Sequence, residues 1–185
     1  MVGAKENTMA TRTWNIDASH SAVRFTVRHL VIAKVHGHFE KFSGALAIDA
    51  DDLTKSSVNV EIDAGSIDTR DEKRDAHLRS ADFFDVENFK QLTFASKRVE
   101  LAKGKIAKVV GDLTIHGVTK EVVLDVEDNG RAKDPWGGER AAFEAHTRIN
   151  RYDFGLKWNA ALEAGGVLVG ENVDITLEIE AVAQP

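Results

Sequence analysis

Histidines at alternating positions are the first residues in this sequence that could do chemistry. His36 and His38 are two apart, and Glu40 follows at the same spacing. Residues two apart on a β-strand share a face, so these three side chains could bind a metal ion together. Val35 and Phe39 have the opposite parity and should face the interior, which turns the histidines towards solvent. We therefore predict no metal site and no cofactor.

A second group, His77 with Asp75, Asp82 and Asp85, has the residue types of general acid–base catalysis. The same residue types cap helices and order loops, and we favour that role here. His116 precedes a glycine, and a polar residue in a tight turn needs no further explanation. The sequence has no nucleophile elbow, phosphate-binding glycine loop or HExxH pattern. We predict no catalytic residue and a protein that is not an enzyme.

Composition narrows the class of protein further. The chain has 185 residues and a net charge of −6, from 24 basic and 30 acidic residues, which disfavours a nucleic-acid surface. It contains no cysteine, which excludes disulfides, zinc ribbons and iron–sulfur clusters. No apolar run approaches the roughly 20 residues of a membrane span. Because the N-terminal residues lack the apolar stretch of a secretory signal, we expect a cytoplasmic protein.

Apolar and polar residues alternate along most of the chain, which predicts β-strands with one buried face. In one such run, Val23, Phe25 and Val27 alternate with polar and charged neighbours. We predict strands over residues 12–17, 20–30, 35–49, 57–64, 91–101, 105–115, 118–128, 141–150 and 167–182. A flexible tail over residues 1–11 is expected to precede a single domain over residues 12–183.

Glycine marks the connections between these strands. A type I′ hairpin turn needs positive φ at both central positions, which favours a dipeptide that ends in glycine. Such dipeptides are Lys103-Gly104, His116-Gly117 and, as the strongest signal, Asn129-Gly130. One short helix is predicted over residues 70–80, with Thr69 and Glu72 spaced as a capping box. It has little apolar surface, so we place it across one end of the β structure.

One-sided strands must hide their apolar faces, either between two sheets or inside a sheet closed on itself. Closure also removes the exposed edges of long strands. The predicted inner face mixes large residues with small ones, among them Gly37, Gly44 and Gly111. Small residues on the wall could leave a narrow apolar tube. A solid core filled by these residues is the alternative, and periodicity alone favours it.

Five separated segments are distinctive in both their residues and their order. They are SHSAVRF from Ser19 with VRHL from Val27, GHFEKFSG from Gly37, RDAHLRSADFFD from Arg74, GDLTIHGVTK from Gly111, and NRYDFGL from Asn150. Together they resemble the YceI family of polyisoprenoid-binding or lipid-binding proteins, over about residues 13–181. The resemblance implies a lipocalin-like barrel that holds an isoprenoid or other long-chain amphiphile in an elongated cavity. Many relatives are periplasmic, whereas the N-terminal residues of this chain lead us to expect a cytoplasmic protein.

The fold class that we predict with this resemblance is all-β: an eight-stranded, lipocalin-like antiparallel β-barrel with a short helix near one end. Strand parity then gives the residues of a ligand-binding wall, although each could equally be plain core. They are Val23, Phe25, Val27, Phe39, Leu46, Ile48, Val60, Ile62, Phe94, Leu113, Ile115, Phe143, Ile149, Ile175 and Leu177. Phe83, Phe84 and Trp158 lie in connecting segments and are predicted to line the mouth.

We therefore expect a protein that carries, stores or sequesters a long-chain lipid, such as a polyprenyl chain or an isoprenoid quinone. Two alternatives stay open. The first is an enzyme that acts on such a lipid through His77 with Asp82 or Asp85. The second is an interaction protein of the stress response with a solid core. The lipid is the expected partner, without nucleic acid or a membrane span, and a homodimer is the base expectation.

Overall fold

The computed structural model describes residues 11–185, so the tail predicted for residues 1–11 lies almost entirely outside the described residues. The described part is one antiparallel sheet with a short helix, α1 (Glu72–Arg79). Its strands are β1 (Arg12–Ile16), β2 (Ala22–His29), β3 (Ala33–Phe39), β4 (Phe42–Ile48), β5 (Ser57–Asp63), β6 (Ile67–Asp68), β7 (Gln91–Ala102), β8 (Lys105–Ile115), β9 (Val118–Lys133), β10 (Glu139–Asn150) and β11 (Val169–Ala183).

The sheet closes on itself and forms a barrel. Its ring runs β1-β4-β5-β7-β8-β9-β10-β11, and β1 pairs with β11 to complete it. β2 continues the path of β1 along β11, while β3 and β6 continue the paths of β4 and β5. The described residues thus form eight strand positions, of which three are interrupted. The predicted lipocalin-like barrel with its short helix is confirmed.

One predicted strand, residues 35–49, is broken where β3 ends and β4 begins. The N–H of Glu40 donates to the carbonyl of Ser66 at 3.1 Å, and the N–H of Lys41 donates to its hydroxyl at 3.0 Å. Ser66 itself lies in the break between β5 and β6. These bonds satisfy the backbone N–H groups of Glu40 and Lys41 where strand pairing stops. Two neighbouring strands are therefore interrupted at the same level of the barrel.

The strongest predicted hairpin turn, Asn129-Gly130, is wrong. β9 continues through it to Lys133, and Gly130 has a φ of 95°. Gly130 pairs with Ala142, but the next pair is Asp128 with Phe143, which leaves Asn129 without a partner opposite. The positive φ therefore serves a β-bulge, which bends the strand instead of ending it. The weaker signals, Lys103-Gly104 and His116-Gly117, do form turns with positive φ at both positions.

The helix begins later than predicted, and the capping box is wrong. Asp71 caps α1, and its carboxylate accepts from the N–H of Arg74 at 3.0 Å. Thr69 is buried instead, and its N–H donates to the carboxylate of Asp75 at 2.9 Å. Arg70, with a φ of 63°, turns the chain between Thr69 and the cap. This turn prevents Thr69 from continuing into the helix.

The two ends of the barrel differ in what covers them. The helix end carries α1, the β2–β3 turn and residues 151–168, which connect β10 to β11. The opposite end, called the Trp14 end here, carries the β4–β5, β7–β8 and β9–β10 connections. Within residues 11–185, no helix has the length and apolar character that crossing a bilayer requires.

Candidate functional site: an apolar cavity

An apolar cavity of about 250 Å³ occupies the barrel interior. Its wall extends from Phe143, near the Trp14 end, to Leu156 at the helix end. Thr147 and Arg151 are polar residues on this wall; Arg24 adjoins it, but its side chain is 52% exposed and pairs with Glu178. The other wall residues are apolar. A cavity with such a wall favours apolar ligands, because burying each CH₂ group contributes about 0.8 kcal/mol.

Most residues that the sequence predicted to contact a ligand do line this cavity. They are Val23, Phe25, Val27, Phe39, Leu46, Val60, Ile62, Phe83, Phe84, Phe94, Leu113, Ile115, Phe143, Ile149, Ile175 and Leu177. Ile48 and Trp158 are not on the wall. Ile48 is buried in the core beside β1, and Trp158 packs against His77. Contact between any of these residues and a ligand stays a prediction.

The interior is hollow and not filled by the protein's own side chains. Phe25, Val60 and Ile175 face the inside of the barrel, yet each keeps an intermediate exposure. Side chains that filled a solid core would lose this exposure, since protein interiors are close-packed. The cavity thus argues against the alternative of a solid-cored barrel.

The glycines of the inner wall do not create the hollow, contrary to the sequence-based interpretation. A Cβ added to Gly37 would lie 2.3 Å from Cζ of Phe25, and one added to Gly111 would lie 2.6 Å from Cζ of Phe94. At Gly44 it would meet Ile16 at 2.9 Å. Neighbouring side chains therefore cover the glycine positions, so the two rings lie along the wall.

The Trp14 end is closed by side chains that belong to the strands. Trp14, Ile48 and Val99 are buried in the core and take no part in the cavity wall. The guanidinium groups of Arg12 and Arg131 lie 5.6 and 5.9 Å from the indole ring of Trp14. These residues belong to paired strands, so this end is closed by the sheet itself and not by a connecting loop.

The helix end is covered by aromatic residues from connecting segments. The ring of His77 meets the rings of Trp158 and Phe83 edge-on, with centroids 4.6 and 5.2 Å apart. Phe83 and Trp158 lie 5.4 Å apart. Phe84 meets Phe39 of β3 edge-on at 5.9 Å. The contacts of Trp158 with His77 and Phe83 join residues 151–168 to the α1 segment through side chains, without strand pairing.

Arg151, which the sequence analysis missed, is a buried cation on the cavity wall. Its guanidinium donates to the carbonyls of Leu156 at 2.6 Å, Trp158 at 2.9 Å and Gly170 at 2.8 Å, and more weakly to Val169 at 3.2 Å. Burial lowers the pKa of Arg151, yet a guanidinium stays protonated in proteins. Within residues 11–185, no carboxylate forms an ion pair with it. Strand periodicity could not reveal this residue, because it follows the last residue of β10.

The residues considered for acid–base chemistry are separated into three roles. Nε2 of His77 lies 2.8 Å from a carboxylate oxygen of Asp82, at the protein surface. Asp85 instead accepts from the side chain of Asn88. Asp75, on α1, is buried and accepts from the N–H of Thr69. The pair of His77 with Asp82 therefore orients the imidazole against the aromatic cover.

The histidines considered for a metal also separate. His36 contacts the hydroxyl of Thr26 at 2.9 Å. His38, Glu40 and Asp68 bring their ligand atoms within 4.8 Å of one another and could hold a metal ion. They lie on the outer surface, away from the cavity wall. Asp68 of β6 was missed because a strand of two residues leaves no periodicity to detect.

Fold and cavity together define a class of protein: a closed antiparallel barrel that encloses an apolar cavity, of the lipocalin-like type. A family model described as the YceI-like domain matches residues 14–181. The chain therefore belongs to the YceI family, as the sequence motifs indicated. A UPF0312 protein of Staphylococcus epidermidis is 41% identical over 168 residues, which cover 90% of this chain and 95% of the relative. A UPF0312 protein of Staphylococcus aureus is 39% identical with the same coverage.

Solved structures share the barrel. The YceI protein of Campylobacter jejuni is 30% identical with a TM-score of 0.74, covering 85% of this chain and 90% of that one. BcnA of Burkholderia cenocepacia is 24% identical with a TM-score of 0.77, covering 89% and 98%. A domain of Saccharophagus degradans, described as polyisoprenoid-binding, is 16% identical with a TM-score of 0.69, covering 94% and 99%. The last two show similarity of fold alone.

Proposed function

We propose that this protein binds the hydrocarbon chain of a long isoprenoid or acyl lipid inside its barrel, as a carrier or store. The observation that carries the proposal is the hollow interior of about 250 Å³ with its apolar wall. Such a wall gains more by contact with a hydrocarbon chain than with water. The polyisoprenoid-binding description of the Saccharophagus degradans domain is consistent with this ligand class.

The lipid's head group is proposed to lie at the helix end. Arg151 on the cavity wall uses four of its N–H groups on backbone carbonyls, and a guanidinium has five. The fifth can donate to an oxygen of the head group. The cover formed by Phe83 and Trp158 lies at the same end and consists of loop residues, which suits entry and exit of a chain. The role needs no catalytic step.

Native mass spectrometry of freshly purified protein, followed by organic extraction, tests the proposal. We expect a retained lipid, or uptake of an added prenyl alcohol or fatty acid. The lipid recovered should be chemically unchanged, whereas an enzyme acting through His77 would return a product. A mass without ligand, together with no uptake of either chain type, would overturn the proposal.

Two adjacent valines on β9 provide matched variants for this test. Val122 lines the cavity, and Val123 lies outside the barrel with 41% of its surface exposed. In Val122→Phe the new ring occupies space that the ligand needs, so we expect lipid affinity to fall about tenfold or more, equal to about 1.4 kcal/mol. Val123→Phe makes the same change on the outer surface and should bind as the original protein does. Equal effects of both variants would show that the ligand lies elsewhere.

A further inference from the structure

An exposed apolar cluster lies at the helix end, outside the cavity. Leu30, Val31 and Ile32 form the β2–β3 turn and are 40%, 56% and 86% exposed. Val167, in the neighbouring loop, is 40% exposed. These four residues, called the apolar tip here, include most of the exposed large hydrophobic residues in the described part of the chain. Contiguous apolar patches on soluble proteins mark interaction sites.

The backbone of the apolar tip is strained. Leu30 has a φ of 54° and Val31 a φ of 67°. Positive φ is unfavourable for a side chain with a branched Cβ such as valine. In the two other tight turns of the barrel, at Gly104 and Gly117, a glycine occupies the second position. The tip thus keeps bulky apolar side chains where the backbone favours glycine, and strain of this kind clusters at functional sites.

The apolar tip is a built structure, supported by the loop beside it. The N–H of Leu30 donates to the carbonyl of Leu168 at 2.9 Å. A Cβ at Gly166 would lie 3.3 Å from Cγ2 of Val31, so the loop backbone approaches the valine closely. The loop is closed by bonds from Leu162 to Gly166 and from Leu168 to Ala160. The backbone of the tip is therefore anchored to this loop.

Positive charge lies directly below the apolar tip. Arg28 and Lys34 are cross-strand partners at the base of the turn, and both are exposed. Like charges directly opposite on two strands are unfavourable without an anion nearby. The adjacent carboxylate of Asp174 is already bound by Arg148 at 2.6 Å. Arg28, Lys34 and Arg148 thus act together on one carboxylate, that of Asp174.

We infer that the apolar tip inserts into the head-group region of an anionic lipid bilayer and brings the helix end of the barrel against the membrane. Apolar side chains beside basic residues suit a bilayer surface. The apolar side chains enter the boundary of the acyl chains, and the basic side chains contact the anionic head groups. Exposed side chains that enter a bilayer need no complementary groove. His29, at its base, pairs with Val169 of the cavity wall, so docking there places the cavity close to the bilayer. The inference goes beyond lipid binding in the cavity and does not require it.

Co-sedimentation with vesicles of equal parts phosphatidylglycerol and phosphatidylcholine tests the inference. We expect Ile32→Glu to lower vesicle binding about tenfold or more, because it places a charge where an apolar side chain enters the bilayer. Trp136→Glu is the matched control: Trp136 is also 86% exposed, but it lies at the Trp14 end. This control should bind vesicles as the original protein does. Lys34→Glu should weaken binding to these vesicles about fivefold, and added salt should shrink that difference.

Several outcomes would overturn the inference. Equal vesicle binding by the original protein and Ile32→Glu would show that the apolar tip does not contact the membrane. Loss of binding in Trp136→Glu to the same extent would show a general effect of hydrophobicity. If the original protein ignores vesicles and instead forms a dimer that Ile32→Glu dissociates, the tip is a contact between copies. Retained lipid, measured by native mass spectrometry on the same variants, separates failure of docking from failure of the cavity function.

Discussion

Two glycine–phenylalanine pairs shape the barrel wall at the level of single residues. Phe25 lies opposite Gly37 on the neighbouring strand, and its ring covers the bare backbone there. Phe94 covers Gly111 from a diagonal position, because its direct cross-strand partner is Leu113. An aromatic ring that covers a glycine on a sheet shields its backbone and fixes the strand register. Because each ring occupies the place of the missing side chain, it stays out of the cavity centre.

Gly37→Ala tests this arrangement directly. The new Cβ would lie 2.3 Å from Phe25, so the ring must move towards the cavity. We expect a loss of about 1–3 kcal/mol in the free energy of unfolding, as for other overpacked sites, together with weaker lipid retention. Urea unfolding and native mass spectrometry measure the two effects. The double variant Gly37→Ala with Phe25→Leu should recover part of both, and no recovery would contradict the steric explanation.

Strand parity predicted most of the cavity wall, but it could not predict which inward-facing residues line the cavity and which fill the closed end. Phe25 and Ile175 follow the alternation and do face the cavity. Ile48 follows the same alternation and is buried at the closed end, because distance along the barrel axis decides between wall and plug. That distance depends on the register between strands, which a single strand's pattern does not contain. Arg151 was missed for another reason, since it follows the last residue of β10 and its partners are backbone carbonyls, which a side-chain pattern does not reveal.

At the scale of elements, the sequence predicted where strands lie better than where they break. The Asn129-Gly130 signal was right about φ at Gly130 but not at Asn129, and β9 uses the positive φ of Gly130 for a bulge. The break between β3 and β4 depends on Ser66, far along the chain, and has no local signal. Local chemistry therefore predicts which backbone angles are accessible, while the neighbouring strand determines whether they make a turn, a bulge or a break.

Arg151 joins the elements of the helix end, since it connects residues 156–158 to the start of β11. We expect Arg151→Gln to lower the free energy of unfolding by about 3 kcal/mol, because a shorter side chain leaves buried carbonyls without donors. Arg151→Lys should restore only part of this stability, as an ammonium cannot make the planar, forked contacts. Urea unfolding gives the energies. Hydrogen exchange should show the loss centred on residues 156–170.

Arg148→Gln is the matched control for this experiment. Arg148 lies near the end of β10, shortly before Arg151, and its side chain is 66% exposed. It pairs with Asp174 on the barrel surface, and surface pairs contribute little to stability. If Arg148→Gln were as destabilising as Arg151→Gln, the buried carbonyl contacts would not be the cause.

At the scale of the whole molecule, closure of the barrel depends on one short strand. β1 pairs with β4 on one side and with β11 on the other. Arg140 of β10 binds the carboxylate of Asp17, which follows β1, and also the carboxylates of Asp134 and Glu180. Arg140 therefore connects three parts of the chain. The N–H of Asp17 also donates to the carbonyl of Glu180 at 2.8 Å. These contacts fasten the seam at which the sheet closes.

Acid should weaken this seam through Asp17. Hydrogen bonds from the Ser19 hydroxyl, from His20 and from Arg140 hold the pKa of Asp17 well below its usual value of 3.8. A carboxyl with a depressed pKa in the folded state stabilises it above the unfolded pKa, and the stabilisation is lost as pH falls towards the folded pKa. We therefore expect Asp17→Asn to be less stable than the original protein at neutral pH. The difference should shrink progressively below about pH 4.

Urea unfolding from neutral pH to about pH 2 measures this difference as a function of pH. Asp125→Asn is the matched control, because it removes an exposed carboxylate of β9 that contacts Lys108 and leaves the seam intact. Its pH dependence should follow that of the original protein more closely than Asp17→Asn does. A stability difference for Asp17→Asn that stays constant down to the acid limit would assign the effect to lost hydrogen-bond geometry and not to charge. In that case barrel closure would not depend on the ionised carboxylate, and acid would have to weaken the fold elsewhere.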